Sequence, residues 1–354
     1  MFEKQDQDVM NEFSRMGANV NAFTSYNETA YYFSTSGAIE GPLDLLLDFV
    51  QQLDISDASV EKEKGIIVSE LNMYQQMSDS RLLMETYQSL FHEHPLKYDI
   101  GGDENSVRST TRQQLEACYQ RNYHPSTMML VGVSGKDPEQ IMEQIRRNQR
   151  SKQFAPLCPI HRRPIREAAS VVRERHAFSM DITVPKLAVA CKLAPCVDAL
   201  ERLRREWCIR LAQDLCFSSL NPQYQRWLDE GIISDFVGAD VDLGADHGVL
   251  LFYTETQKTA AFEALVDDVC KQMAALTVDE EALQSLKHRY FGSAVRSLGS
   301  FDDIAIGYIR SAFAGYDYFA GMDIIDAIRA EDILEVCRSL DLTHRSVVVI
   351  TPKR

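Results

Sequence analysis

The chain has 354 residues, 45% of them hydrophobic, a formal net charge of −15 and a pI near 5.0. That length and apolar content support one large core or two of ordinary domain size and exclude a fibrous or disordered class. The acidic balance excludes a global electrostatic attraction to nucleic-acid phosphate or anionic lipid.

In chain order, the run from Asn19 to Thr24, a turn at Ser25-Tyr26-Asn27 and the β-branched and aromatic run Thr29-Ala30-Tyr31-Tyr32-Phe33-Ser34-Thr35 predict a hairpin. Leu43, Leu46, Leu47, Val50 and Leu53 recur at helical spacing behind Gly41-Pro42, which suits a helix start. A second helix is predicted from about Ser59 to Gln76, with Val60, Ile67, Leu71 and Tyr74 inward, and a third from Arg81 to Phe91. Two histidines follow in His92-Glu93-His94, but their spacing ahead of Pro95 suits a loop rather than one helical face, so solvated surface is the expectation. After Gly101-Gly102, Thr111 to Tyr123 reads as a helix stopped by His124-Pro125, because the residue before proline is pushed out of the helical region. Met128-Met129-Leu130-Val131-Gly132-Val133 is expected to close this half as a buried strand.

Residues 146 to 166 change character. Arg146, Arg147, Arg150, Lys152, Arg162, Arg163 and Arg166 alternate with Pro156, Pro159 and Pro164, and apolar periodicity disappears, as in a linker. With Phe154 as the only interleaved aromatic in an acidic protein, a nucleic-acid patch is the weaker reading of this run.

The second half repeats the order of the first. Strands Phe236 to Asp242 and Val249 to Thr254 precede helices Thr259 to Ala275, Asp279 to Leu298, Asp302 to Phe313 and Glu331 to Leu340, and Ser346 to Thr351 closes as a strand. Ser89-Leu90-Phe91 falls opposite Ser311-Ala312-Phe313 at an offset of 222, and Leu130-Val131 opposite Val348-Val349 at 218. Two homologous α+β domains are the simplest account. A strand around Lys186 to Ala194 and helices from Ala199 and Pro222 have no equivalent in the first half, which puts a deficit at its front. Uncovered apolar surface at Ala30, Tyr32 and Leu46, or an open sheet edge, would follow.

Eight cysteines (Cys118, Cys158, Cys191, Cys196, Cys208, Cys216, Cys270 and Cys337) form no Cys-x-x-Cys pair, so reduced, core-packed thiols are expected. No apolar run is long enough to span a membrane, and Met1-Phe2-Glu3-Lys4-Gln5-Asp6 lacks a basic or apolar leader region. The expectation is a cytoplasmic chain without membrane insertion.

Asn21-Ala22-Phe23-Thr24, then Asn27, Thr29 and Tyr31, then Glu63 and Glu70 seven residues apart, resemble the insulinase and pitrilysin family of zinc peptidases. Gly101-Gly102, Thr110-Thr111, Leu115 and the passage Tyr123-His124-Pro125-Ser126-Thr127-Met128 extend the resemblance over most of the chain. It implies two processing-peptidase-like domains, each an antiparallel-rich sheet covered by helices: an incomplete one at 1–145, a linker at 146–168 and a second at 169–354.

In that family an inverted His-x-x-Glu-His motif and a later glutamate hold zinc. By the resemblance Glu70 is the metal ligand, Glu63 the neighbouring acid assigned to catalysis, and Asn21, Ala22 and Thr24 bind substrate as an added strand in a cleft between the domains. Residues seven apart share a helical face, although the same pattern suits a solvated face, and an ordinary hairpin also satisfies the strand pattern. No His-x-x-Glu-His occurs in the 354 residues, and the resemblance places that motif a residue or two ahead of Met1-Phe2-Glu3-Lys4. Zinc is therefore implied for the complete family enzyme and not for this chain. The Arg and Tyr that many members carry seven apart are missing from Leu228-Asp229-Glu230-Gly231-Ile232-Ile233-Ser234-Asp235-Phe236, and Glu70 falls opposite Gly292. The implied function is a zinc-side, peptide-binding subunit, inactive as this chain. A homologous partner would supply Arg and Tyr, and a peptide or small unfolded protein would be the substrate. The alternative is a non-catalytic structural or peptide-holding subunit of a heterodimeric peptidase.

Overall fold

The computed structural model describes residues 3–4, 7–157, 159 and 163–353, with side-chain environments from Val9 onward. Readings that fall on Met1, Phe2, Gln5, Asp6, Cys158 and Arg162 lie outside the described residues. The short pair β1 (Glu3–Lys4) and β2 (Gln7–Asp8) leads into α1 (Val9–Arg15). The expected hairpin follows as β3 (Ala18–Thr24) and β4 (Thr29–Thr35), in continuous antiparallel register from Ala18 opposite Thr35 to Thr24 opposite Thr29. Helices α2 (Glu40–Val50), α3 (Asp57–Gln76), α4 (Ser78–Leu90), α5 (Glu104–Ser109), α6 (Arg112–Asn122) and α7 (Pro138–Arg150) come next. Thr111 caps α6 in a reciprocal box with Gln114.

The remaining elements are β5 (Arg175–Met180), β6 (Lys186–Lys192), α8 (Ala199–Cys216), α9 (Tyr224–Asp229), β7 (Val237–Leu243), β8 (Gly248–Glu255), α10 (Thr259–Ala274), α11 (Glu280–Ser297), α12 (Phe301–Ala314), α13 (Ala320–Ala327), α14 (Ala330–Arg338) and β9 (Arg345–Pro352). Hairpin, long helix and further helices therefore recur in the order read from the sequence, with α2, α3 and α4 answered by α10, α11 and α12. The chain is a two-domain α+β protein.

These elements form two compact units. One draws on residues up to Asn72, Ile100–Arg163 and Leu298–Arg310, the other on Met73–Asp99, Pro164–Ser297 and the chain from Ser311 onward. In the first, Val9 and Phe13 of α1 pack with Ala18 and Val20 of β3 and Leu46 of α2. The α2–α7 contact is polar: Gln51 and Gln149 pair through their amides, and Asn148 donates to Asp44 and Asp48. Val68 and Leu71 of α3 meet Val107 of α5. In the second, a five-stranded sheet runs in the order β5-β9-β6-β8-β7, antiparallel except for β5 beside β9. Strand alternation sends Leu187, Val189 and Cys191 of β6 into the core with α8, α10 and α14, while Ala188 and Ala190 face α4. Both faces of the sheet are thus covered.

Several expectations need correction. Arg146, Arg147 and Arg150 belong to α7, which is anchored by its amides rather than by an apolar stripe and so carried no periodic signal. Residues 128–134 form no ladder, because no described strand lies alongside to receive their hydrogen bonds. Leu46 is buried, not uncovered; on α3, Tyr74 is 48% exposed, whereas Val68, not among the residues expected inward, is buried. Of the described thiols, all free, Cys118 is exposed and Cys270 half-buried; the other five are buried.

Candidate functional site

The sequence-derived peptide-binding residues lie on β3, whose only strand partner among the described residues is β4. The amide of Ser25 donates to the Glu28 carbonyl at 2.8 Å, which makes that pair hydrogen-bonded. Antiparallel pairs alternate, so Thr24, Ala22 and Val20 turn their backbone groups away from β4, toward the open edge. Ala22 and Thr24 therefore present main-chain donors and acceptors to an incoming strand. Asn21 acts through its side chain: its Oδ1 accepts the Ala22 N–H at 2.8 Å. On the neighbouring faces the guanidinium of Arg310 lies over the Phe23 ring at 5.1 Å and pairs with Glu28 at 3.1 Å.

Glu63 and Glu70 sit on α3, with Glu70 exposed and Glu63 half-buried. The described residues of this unit do not supply the two imidazoles that a His2Glu zinc site sets beside its carboxylate. The described imidazole of this unit is His124, and both of its nitrogens are engaged: Nδ1 accepts the Ser126 N–H at 3.1 Å and Nε2 lies 3.0 Å from the Ala155 carbonyl. Placing the acids on one helix is thus not enough to build a metal centre.

The second unit holds two polar clusters that sequence reasoning missed. Glu167, in the run read as linker, accepts the backbone N–H groups of His92, Glu93 and His94 at 2.7–2.8 Å and the ammonium of Lys192 at 2.7 Å. Burial works to raise the pKa of its carboxyl, but Lys192 and the three amides outweigh that and hold it at about 2. Beside it, His94, Asp246 and His247 bring donor atoms within 4.8 Å of one another. His94 is 6% exposed, so the expected solvated surface is wrong for it. The signal was its place before a proline: His94-Pro95 and His124-Pro125 each start a single 3-10 turn in which the imidazole Nδ1 accepts the N–H two residues on. For neutral His94 this puts the ring proton on Nε2, which makes that atom a donor and not a metal ligand.

Comparison with known proteins adds two family matches. The model of the insulinase family (peptidase family M16) matches residues 3–104, and that of the peptidase M16 inactive domain matches residues 109–290. An uncharacterised zinc protease of Bacillus subtilis (strain 168), YmfH, is 32% identical over 100% of this chain and 83% of its own length. The mitochondrial-processing peptidase subunit beta of Neurospora crassa is 26% identical over 40% of this chain and 30% of its own length. Among solved structures, an M16-like peptidase from Alicyclobacillus acidocaldarius superposes with a TM-score of 0.92 at 29% identity, over 99% of this chain and 84% of the other.

Proposed function

Because the chain belongs to the insulinase family, peptidase family M16, we propose that it is a metallopeptidase-family subunit that holds peptides as an added strand along β3 and, with the donor set of these 354 residues, does not hydrolyse them. The observation that supports this most directly is the open edge of β3, which among the described residues has no strand partner other than β4. Glu70 is the metal-ligand position and Glu63 the neighbouring catalytic acid. A homologous subunit is the proposed partner, in keeping with a relative named as a subunit of a processing peptidase. The proposed division is 1–145, 146–168 and 169–354, and the proposed compartment the cytoplasm.

The test is an extended, fluorescently labelled peptide titrated with the purified chain, with and without added zinc. Binding without cleavage under both conditions is expected, and stoichiometric zinc uptake with turnover would defeat the proposal. Thr24→Pro removes one outward N–H while leaving the β4 ladder intact, so it is expected to weaken binding about five- to tenfold, the worth of one hydrogen bond, with unfolding unchanged. An unaltered affinity would place the peptide elsewhere.

A purely structural subunit is favoured by one detail, the occupation of the Ala22 N–H by Asn21 Oδ1. Asn21→Ala separates the two readings. Tighter peptide binding identifies Asn21 as a gate over a working edge, and no binding by either form identifies the edge as sealed.

A further inference from the structure

We propose that His94, Asp246, His247 and Asp242 form a proton-operated clamp that fastens the loop after α4 to the β7–β8 hairpin, engaged near neutral pH and released in mild acid. The His94 ring packs between Phe91 and His247, with ring centroids 5.1 and 4.9 Å away. Its Nδ1 accepts the Leu96 N–H at 3.2 Å, and its Nε2 faces Asp246 Oδ1 at 3.3 Å. The same carboxylate oxygen lies 3.1 Å from His247 Nδ1, and His247 Nε2 lies 3.3 Å from Asp242 Oδ1. Neither Nε2 atom has a well-aligned hydrogen bond, so charged His247 is held to Asp242 mainly by ionic attraction and neutral His94 to Asp246 by the weaker pull of the carboxylate on its N–H dipole. With His94 neutral and His247 charged, every ring proton faces a carboxylate.

A second proton breaks this arrangement for a geometric reason. It can enter His94 only at Nδ1, where it would meet the Leu96 N–H head to head and undo the cap of the 3-10 turn. It would also set two cations side by side, with their rings 4.9 Å apart. The hairpin is shaped to hold its half of the clamp: a Cβ on Gly244 would stand 2.1–2.2 Å from the His247 ring. Gly248 closes the turn against Leu193, whose backbone amide donates to the Gly248 carbonyl at 2.8 Å.

The other charges facing the cluster agree with this reading. On the loop side Glu167 and Lys192 sit behind His94. On the hairpin side Arg210 pairs with Asp240 and Glu206 next to Asp242. Burial lowers the pKa of His94 and Asp246 only partly offsets it. Burial opposes the charge on His247 too, but Asp242 and Asp246 outweigh it and raise that pKa. The signs therefore oppose each other. The stability from neutral His94 is present above the ordinary imidazole value of 6.5 and is lost as pH falls through its lowered value. That from charged His247 is present below 6.5 and is lost as pH rises through its raised value.

Hydrogen exchange of the full chain tests the clamp, read on peptides covering 91–98 and 243–248 and corrected for intrinsic rates. Protection of 91–98 relative to β6 is expected to fall about tenfold between roughly pH 7 and pH 5, and Asp246→Asn should flatten that dependence. A pH-independent ratio would overturn the proposal. So would protection that collapses with a chelator or rises with added zinc, since a metal and not a proton would then join the residues. Should Asp246→Asn fail to fold, the wild-type imidazole titrations decide by NMR. His94 below and His247 above a free histidine support the clamp, and two ordinary titrations refute it.

Discussion

Glu167 shows how much a single carboxylate can fix. Three successive amides and Lys192 converge on it, and Lys192 also donates to the carbonyls of Ala168 and Ser170 at 2.7 and 3.0 Å. Lys192 is 7% exposed, so removing its counter-charge leaves a buried cation unpaired. Glu167→Gln is therefore expected to cost about 3–5 kcal/mol in chemical denaturation. Adding Lys192→Met to Glu167→Gln, which keeps an acceptor for the amides and removes the unpaired cation, should recover part of that loss, and a larger loss in the double variant would contradict the pairing argument. The sign with pH follows from the lowered pKa. Stability from this carboxylate is complete above the unfolded value of roughly 4.3 and is lost progressively from there as pH falls through about 2. Loosening of the 91–98 loop at milder acidity would then come from the imidazoles beside it. None of this was legible in the sequence, where Glu167 sits among arginines and prolines with no periodic neighbour.

At the level of elements, legibility followed periodicity. The β3–β4 hairpin, α2, α3, α4 and α6 were all readable, because apolar spacing, a turn cluster or a proline stop marked each one. Those held by polar or tertiary contacts were not: α7 rests on amide pairs, and β5 alternates Arg175, Ala177 and Ser179 with His176, Phe178 and Met180, an arrangement that gains meaning only beside β9. The opposite failure, the strand expected at 128–133, shows that β propensity without a neighbour does not make a ladder. The candidate site divides the same way: spacing put Glu63 and Glu70 on one helix, but it could not show which faces solvent. Gly65 lies between them on an exposed stretch where an added Cβ would meet nothing within 4 Å. Gly65→Ala should therefore stabilise α3 by about 0.5–1 kcal/mol, read as a higher urea midpoint with unchanged slope. A loss of stability would mean that this face packs against something and would remove the basis for treating Glu63 and Glu70 as accessible.

On the scale of the whole molecule, the two units do not coincide with the two halves of the chain. Helix α4 comes from the first half yet packs on β6 and β9, with Leu82 against Ala188, Val348 and Ile350, and Leu90 and Phe91 against Ala190 and Val249. Its counterpart in the repeat, α12, begins in the other unit, where Arg310 reaches Glu28 and Phe23. Each half thus lends the start or the whole of one helix to the opposite unit. Chain division at the proposed linker should separate surfaces that complete one another. A fragment of residues 1–145 would carry Leu82, Leu90 and Phe91 with nothing to bury them, and one of 169–354 would expose one face of its central strands. Apolar areas of that kind favour association. Neither fragment alone is expected to unfold cooperatively or run as a monomer by light scattering. The two mixed, or a single fragment of 73–354 that keeps α4, should recover a cooperative transition. If 169–354 by itself proves monomeric and as stable as 73–354, α4 contributes nothing to the sheet it covers. The repeat would then be two self-sufficient domains joined in series, with no exchange between them.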